Sequence, residues 1–241
     1  MSARSNSRGS REEPILCYVT DRKSLLPAAH PEPVPALIAR IAAIAAAGVD
    51  WIQLREKDLS GKALAHLVRE VSRGTLSAPG DGRAAARILV NDRLDVALSE
   101  STDGVHLGER SLPVDQVRRL VESRLQVAPT PPGAPRKFQL GVSCHSLESA
   151  RSAASQGADY IFFGAIFATP SKAAMGAPQG VAHLAQVCRA VAIPVVAIGG
   201  IALENAASCI AAGAAGIAAI RLFQEAADPA AIVKELRQRI T

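Results

Sequence analysis

Eight short runs of residues, each apolar nearly throughout, return along the chain, and a helix-like stretch follows each of them. The runs are ILCYVT (15–20), DWIQLRE (50–56), RILVND (87–92), GVHLGE (104–109), FQLGVSCHS (138–146), YIFFGAIF (160–167), PVVAIGG (194–200) and GIAAIR (216–221). A strand with one wet face alternates apolar and polar residues, whereas a run that is apolar throughout suits a parallel strand covered on both faces. The stretches between them, 36–47, 61–73, 92–100, 113–124, 146–155, 181–191, 203–212 and 228–240, carry apolar residues at a period near 3.6. Eight βα units in 241 residues predict a single (β/α)8 TIM barrel, an α/β fold, over residues 14–241. A doubly wound open sheet is the alternative, but no GxGxxG follows the first strand.

An internal echo agrees with a repeated unit. AGVDWIQL, QGADYIFF and AGAAGIAA share one grammar, and Gly48, Gly157 and Gly213 each stand where a helix needs a left-handed C-cap. Two Pro/Gly-rich segments, 74–86 and 128–135, fall between a helix and the next strand. Such loops lie on the face of a barrel that does not carry the active site, so they read as tolerated insertions.

The remaining composition narrows the function classes. No run approaches 18 uncharged apolar residues, so no membrane partner is expected. Residues 1–13, MSARSNSRGSREE, lack the apolar core of a secretory signal and read as a disordered tail. Cys17, Cys144, Cys188 and Cys209 are widely spaced without a CxxC pair, which suits reduced thiols in a cytoplasmic protein. The net charge is +5 with 3% aromatics. That balance argues against a nucleic-acid surface built on stacking and for a basic pocket that takes small phosphorylated molecules. The oligomeric state is open, a homo-oligomer included.

In a barrel the chemistry sits where strands run into helices. Gln53, Arg55 and Lys57 alternate at the end of the second run, so on an extended strand they share one face, with Glu56 pointing away. Two cations there suit a phosphate; a solvated strand end paired with Glu56 and Asp58 is the other reading. The stretch FGAIFATPSKAAMGAPQG (163–180) adds the hydroxyls of Thr169 and Ser171 and a third cation, Lys172, on a long loop. Gly199-Gly200 closes the seventh strand, where backbone N–H groups can approach a phosphate. Asn91-Asp92 suits Mg2+, with one carboxylate plus substrate phosphates, or equally a helix N-cap at Asp92. His145 lies two residues from Ser143 on the same face and can serve as an acid, a base or a plain hydrogen-bonding group, while Cys144 points to the helix layer.

Taken together, YVTDR, GVDWIQLREKDLSG, LVNDRLDVAL, DGVHLGE, LGVSCHS, GADYIFFGAIFATPSK, APQG, IPVVAIGGI and GAAGIAAI resemble the thiamine phosphate synthases and the related thiazole tautomerases over residues 15–240. The resemblance implies a barrel enzyme that joins a hydroxymethylpyrimidine diphosphate to a thiazole phosphate and releases pyrophosphate. It implies that Gln53, Arg55, Lys57, Asn91 and Lys172 hold the diphosphate, that Asp92 binds Mg2+, and that Thr169, Ser171 and Gly200 receive the thiazole phosphate. The synthase assignment thus gives catalysis to Lys172, Arg55, Lys57 and His145, and places Ser143, Gly199 and Arg221 with the substrate-binding residues. Three positions depart from the pattern: Ser111 replaces a second Mg2+-binding Asp, Arg221 a Ser, and Glu109 a Gln. GVSCHSLESA is also similar to the tautomerase, whose histidine shifts a proton, and that likeness makes His145 the catalytic residue of the alternative activity. A non-catalytic binder of thiamine-type phosphates is the third reading.

Overall fold

Each of the eight apolar runs forms a strand, and the strands close on themselves. The computed structural model describes residues 13–25, 33–75, 84–127, 137–169 and 177–241. The strands are β1 (Ile15–Val19), β2 (Trp51–Leu54), β3 (Arg87–Asn91), β4 (Gly104–Leu107), β5 (Gln139–Cys144), β6 (Tyr160–Gly164), β7 (Val195–Ile198) and β8 (Gly216–Ala219). All neighbours are parallel, and β8 returns to β1 in the order β1 to β8. The helices are α1 (Pro33–Ala46), α2 (Gly61–Thr75), α3 (Leu94–Ser99), α4 (Val114–Val127), α5 (Leu147–Ser155), α6 (Gly180–Ala190), α7 (Ala206–Ala211), α8 (Arg221–Gln224) and α9 (Pro229–Ile240). Among the described residues no helix is long and apolar enough to cross a membrane. The tail expected over residues 1–13, apart from Glu13, and most of the two Pro/Gly-rich segments lie outside the described residues.

Strand parity divides the core in two. Cys17, Val19, Trp51, Leu89, Tyr160, Phe162, Val196 and Ala218 face the barrel interior as one cluster. The opposite faces, among them Leu16, Tyr18, Ile52, Leu54, Val90, Leu140, Ile161 and Ile217, pack against the helices, and Cys144 is with them. Alternate residues of one strand therefore serve two different cores. Trp51 and Tyr160 fill the interior with ring centroids 4.7 Å apart.

The helix-to-strand echo is real and occurs four times. Gly48, Gly157 and Gly213 have φ of 94°, 96° and 100°, as the left-handed cap requires. Ser101, with φ 52°, takes the same place before β4. Two residues on, Asp50, Asp103 and Asp159 each make a two-point contact with the preceding strand. Asp50 Oδ2 accepts the Leu16 N–H at 2.6 Å, Asp103 Oδ2 that of Ile88 at 2.8 Å, and Asp159 Oδ2 that of Leu140 at 2.8 Å. Each Asp returns its own N–H to the carbonyl of the same residue. The fourth position is Ala215, which gives only the backbone bond, to Val195. Beside β1 the guanidinium of Arg237 in α9 ties Asp50 to the Pro14 carbonyl.

Candidate active site

At the C-terminal mouth the inward positions of four consecutive strands are polar: Gln53 on β2, Asn91 on β3, His106 on β4 and Ser143 on β5. The interior residues of β6, β7, β8 and β1 are apolar apart from the Tyr160 hydroxyl. The mouth thus has a hydrogen-bonding wall facing a greasy one. Gln53 Nε2 donates to Asn91 Oδ1 at 3.0 Å, and among the described residues this leaves Gln53 Oε1 and Asn91 Nδ2 available to a ligand.

His106 was not singled out in the sequence, yet it occupies the centre of this wall. It is 1% exposed. Its Nε2 lies 3.0 Å from Ser143 Oγ and its Nδ1 lies 3.1 Å from the Tyr160 hydroxyl, while its ring packs on Phe162 at 4.2 Å. Burial, with the charge of Arg55 beside it, pushes its pKa down to about 3, so the ring is neutral. The signal for it was strand parity: Gly104 and His106 in GVHLGE share the inward face.

The charge cluster that follows β2 divides by sign. Glu56 is buried and accepts from Thr20 Oγ1 at 2.7 Å and from Arg22 Nη1 at 2.9 Å. Asp58 is gripped by both Arg22 Nη atoms and by Lys23 Nζ, which hold its pKa well below the usual carboxylate range. Neither acid pairs with Arg55 or Lys57, and among the described residues these two cations have no ion-pair partner. They stand close together. The Lys57 pKa is lowered chiefly by Arg55, then by partial burial and by Arg110, with Asp92 acting in the opposite sense. The expectation that strand alternation brings Gln53, Arg55 and Lys57 onto one face needs correction. β2 ends at Leu54, and it is the turn over Lys57 and Asp58 that carries Lys57 towards Arg55.

Asp92 follows β3 with φ 64°, a left-handed conformation that Asp tolerates better than most residues. It does not cap α3. The N-cap position is Arg93, and no side chain caps that helix. The Asp92 carboxylate instead accepts a short hydrogen bond from Ser111 Oγ, which itself accepts the Gly108 N–H at 2.8 Å. A carboxylate beside a hydroxyl is the hard oxygen chemistry that Mg2+ takes. Among the described residues no group of three or more His, Cys, Asp or Glu could hold a metal, so a substrate would have to supply the remaining oxygens.

Gly199 and Gly200 have φ of 94° and 68°. A Cβ on Gly199 would meet Ala165 Cα at 2.6 Å, and one on Gly200 would meet the Ala168 carbonyl at 2.7 Å, so no other residue fits. The Gly200 carbonyl is turned to Asn205 Nδ2, and among the described residues the N–H groups of Gly200 and Ile201 have no backbone acceptor. Arg221 is the first residue of the one-turn helix α8 rather than a strand end, and its Nη2 reaches Thr169 Oγ1 at 3.4 Å. Ser171 and Lys172 lie outside the described residues.

His145 and Ser143 part company. β5 ends at Cys144, so His145 does not share the inward face; its Nδ1 bonds instead to the Gly164 carbonyl. A carbonyl only accepts, so Nδ1 carries the proton and Nε2 keeps the lone pair. The His145 carbonyl accepts from Gln179 Nε2 at 3.0 Å, which fixes this corner from the other side.

A family profile described as thiamine monophosphate synthase matches residues 18–223. The chain belongs to that family. It is 44% identical over 204 residues to the thiamine-phosphate synthase of Methanoregula boonei, covering 85% of each chain. It is 43% identical over 194 residues to a putative thiamine-phosphate synthase of Geobacter sulfurreducens, covering 80% of this chain and 82% of that one. The thiamine phosphate pyrophosphorylase of Pyrococcus furiosus superposes with a TM-score of 0.75 at 29% identity, over 95% of this chain and 96% of that one. Against the pattern expected of the family, Glu109 and Arg110 are exposed on the turn after β4, while Ser111 is turned inward onto Asp92.

Proposed function

We propose that the chain is a thiamine phosphate synthase, which joins a pyrimidine diphosphate to a thiazole phosphate and releases pyrophosphate. One observation carries the reading. Glu56 and Asp58 are drawn off by Arg22 and Lys23, which leaves Arg55 and Lys57 as neighbouring cations with no ion-pair partner among the described residues at the rim of a polar wall. Two like charges held together are costly unless an anion joins them, and a diphosphate supplies it.

The pyrimidine then lies along Gln53 and Asn91, whose free amide groups match its ring nitrogens and amine. As the carbon–oxygen bond breaks, its electron pair leaves with the pyrophosphate, and Arg55, Lys57 and Lys172 stabilise the growing charge. The thiazole nitrogen attacks the methylene carbon from the side of the apolar wall. Its phosphate is taken by Arg221, Thr169, Ser171 and the N–H groups at Gly199-Gly200. Asp92 with Ser111 would hold Mg2+, which when bound neutralises part of the diphosphate charge. The reading carries with it a cytoplasmic location.

One observation favours the tautomerase as a second reading: His145 has its Nδ1 proton committed to Gly164, so its Nε2 is poised as a base. Purified protein given both synthase substrates and Mg2+ should release pyrophosphate. Aromatisation of the thiazole without any pyrophosphate release would replace the first reading by the second.

A further inference from the structure

Thr20 stands between β1 and the turn at Arg22–Ser24, and it is fully buried. Among the described residues its hydrogen bonds run to β2 and to the segment that leaves it. Its N–H reaches the Gln53 carbonyl at 2.9 Å. Its hydroxyl donates to Glu56 Oε1 at 2.7 Å and accepts the Arg55 N–H at 2.9 Å. The order of donors is set by chemistry. The Arg55 N–H can only donate, so a Thr20 lone pair must face it and the hydroxyl proton is left for Glu56. Glu56 accepts from the Arg22 guanidinium and from the Arg22 N–H as well. The chain of contacts therefore runs from Arg22 through Glu56 and Thr20 to the Arg55 backbone, with its central link, Thr20 to Glu56, fully buried.

We propose that Thr20, backed by Glu56, is a positioning residue for the reaction: it fixes the backbone of Arg55 at the first residue after β2 and so aims the guanidinium at the diphosphate. The inference rests on the synthase reading of Arg55. It explains why Glu56, the residue between two anion-binding cations, is an acid: its charge faces away from the mouth and orients the hydroxyl that holds its neighbour. A geometric error of about 1 Å in a charged group can cost on the order of a hundredfold in rate, so holding the backbone matters as much as supplying the charge.

Pyrophosphate affinity, measured by calorimetry with Mg2+ in both cells, tests this in four proteins: the parent, Thr20→Val, Arg55→Ala and the double variant. Thr20→Val should weaken pyrophosphate about tenfold in the parent background, the scale of one lost buried hydrogen bond. It should cost nothing further once Arg55 is alanine, and Thr20→Ser, which keeps the hydroxyl, should restore parental affinity. Equal loss in both backgrounds, or no loss in either, overturns the positioning role. If Arg55→Ala itself leaves pyrophosphate affinity unchanged, the synthase reading of Arg55 is what fails. Should Thr20→Val not fold, Glu56→Gln cuts the same chain from the other side, and the same dependence on Arg55 is required of it.

Discussion

His106 is held neutral in a place where an unfolded chain would let it take a proton, and this makes acid stability a direct readout of the barrel interior. Its ring is 1% exposed and its pKa is pushed down to about 3, first by burial and then by Arg55. In the unfolded chain the value is about 6.5. Below that point the unfolded state binds a proton that the folded state refuses, so stability falls as pH drops from 6.5 towards 3. The slope is on the order of 1 kcal/mol per pH unit, which amounts to roughly 2 to 3 kcal/mol between pH 7.5 and 4.5. Other groups titrate in the same span, so the useful quantity is a difference. Urea unfolding of the parent and of His106→Asn, each at pH 7.5 and 4.5, isolates it. The asparagine protein will be less stable at neutral pH, because one of two hydrogen bonds is lost, but it should lose roughly 2 to 3 kcal/mol less on acidification. If both proteins lose the same amount, the ring is not excluded from protonation and the reasoning is wrong.

Three further outcomes are expected. Lys172→Ala should lower turnover at least about tenfold, the rate equivalent of ~1.4 kcal/mol, and near-parental turnover at saturating substrate removes Lys172 from the mechanism. Mg2+ should bind weakly to the free protein and more tightly with pyrophosphate present, and Asp92→Asn should abolish the difference; equal affinity in the two conditions counts against a metal role for Asp92. His145→Asn should cost synthase turnover about tenfold or less while nearly abolishing any thiazole aromatisation, and loss of the only measurable activity favours the tautomerase.

The barrel was legible because a parallel strand buried on both faces leaves a continuous apolar run, and eight such runs alternate with stretches of helical period. The strand ends were less so. At β2, β5 and β8 the runs were extended into Arg55, His145 and Arg221, all of which lie beyond the observed strands. Polar residues at the mouth can be read as alternating strand or as loop, and only the neighbouring strand's register decides. His106 was visible in principle through its parity with Gly104, but a lone histidine in an apolar run carries no charge pattern to attract notice. The partners of the charge cluster could not be read at all. Arg22 meets Glu56 across 34 positions and Ser111 meets Asp92 across 19, pairings that exist only once the strands are side by side. Nor could the fourth copy of the echo be seen, since Ser101 fills a place that glycine marks elsewhere.

That fourfold recurrence has a bearing on how such a chain could be rearranged. The carboxylates of Asp50, Asp103 and Asp159 each fasten an even strand to the odd strand before it, and among the described residues no such clasp runs from an even strand to the next odd one. The molecule counts in pairs. Its natural pieces are four two-strand modules, and the cuts that respect them fall after β2, β4 and β6. The last module has alanine where the others have a clasp, and it lies at the seam where Arg237 from the final helix grips Pro14 and Asp50 in the first module. A permuted chain that joins the present ends and opens between modules keeps every clasp intact, whereas one opened between β3 and β4 severs the chain inside a clasped pair. Exchange of whole pairs between relatives follows the same grain.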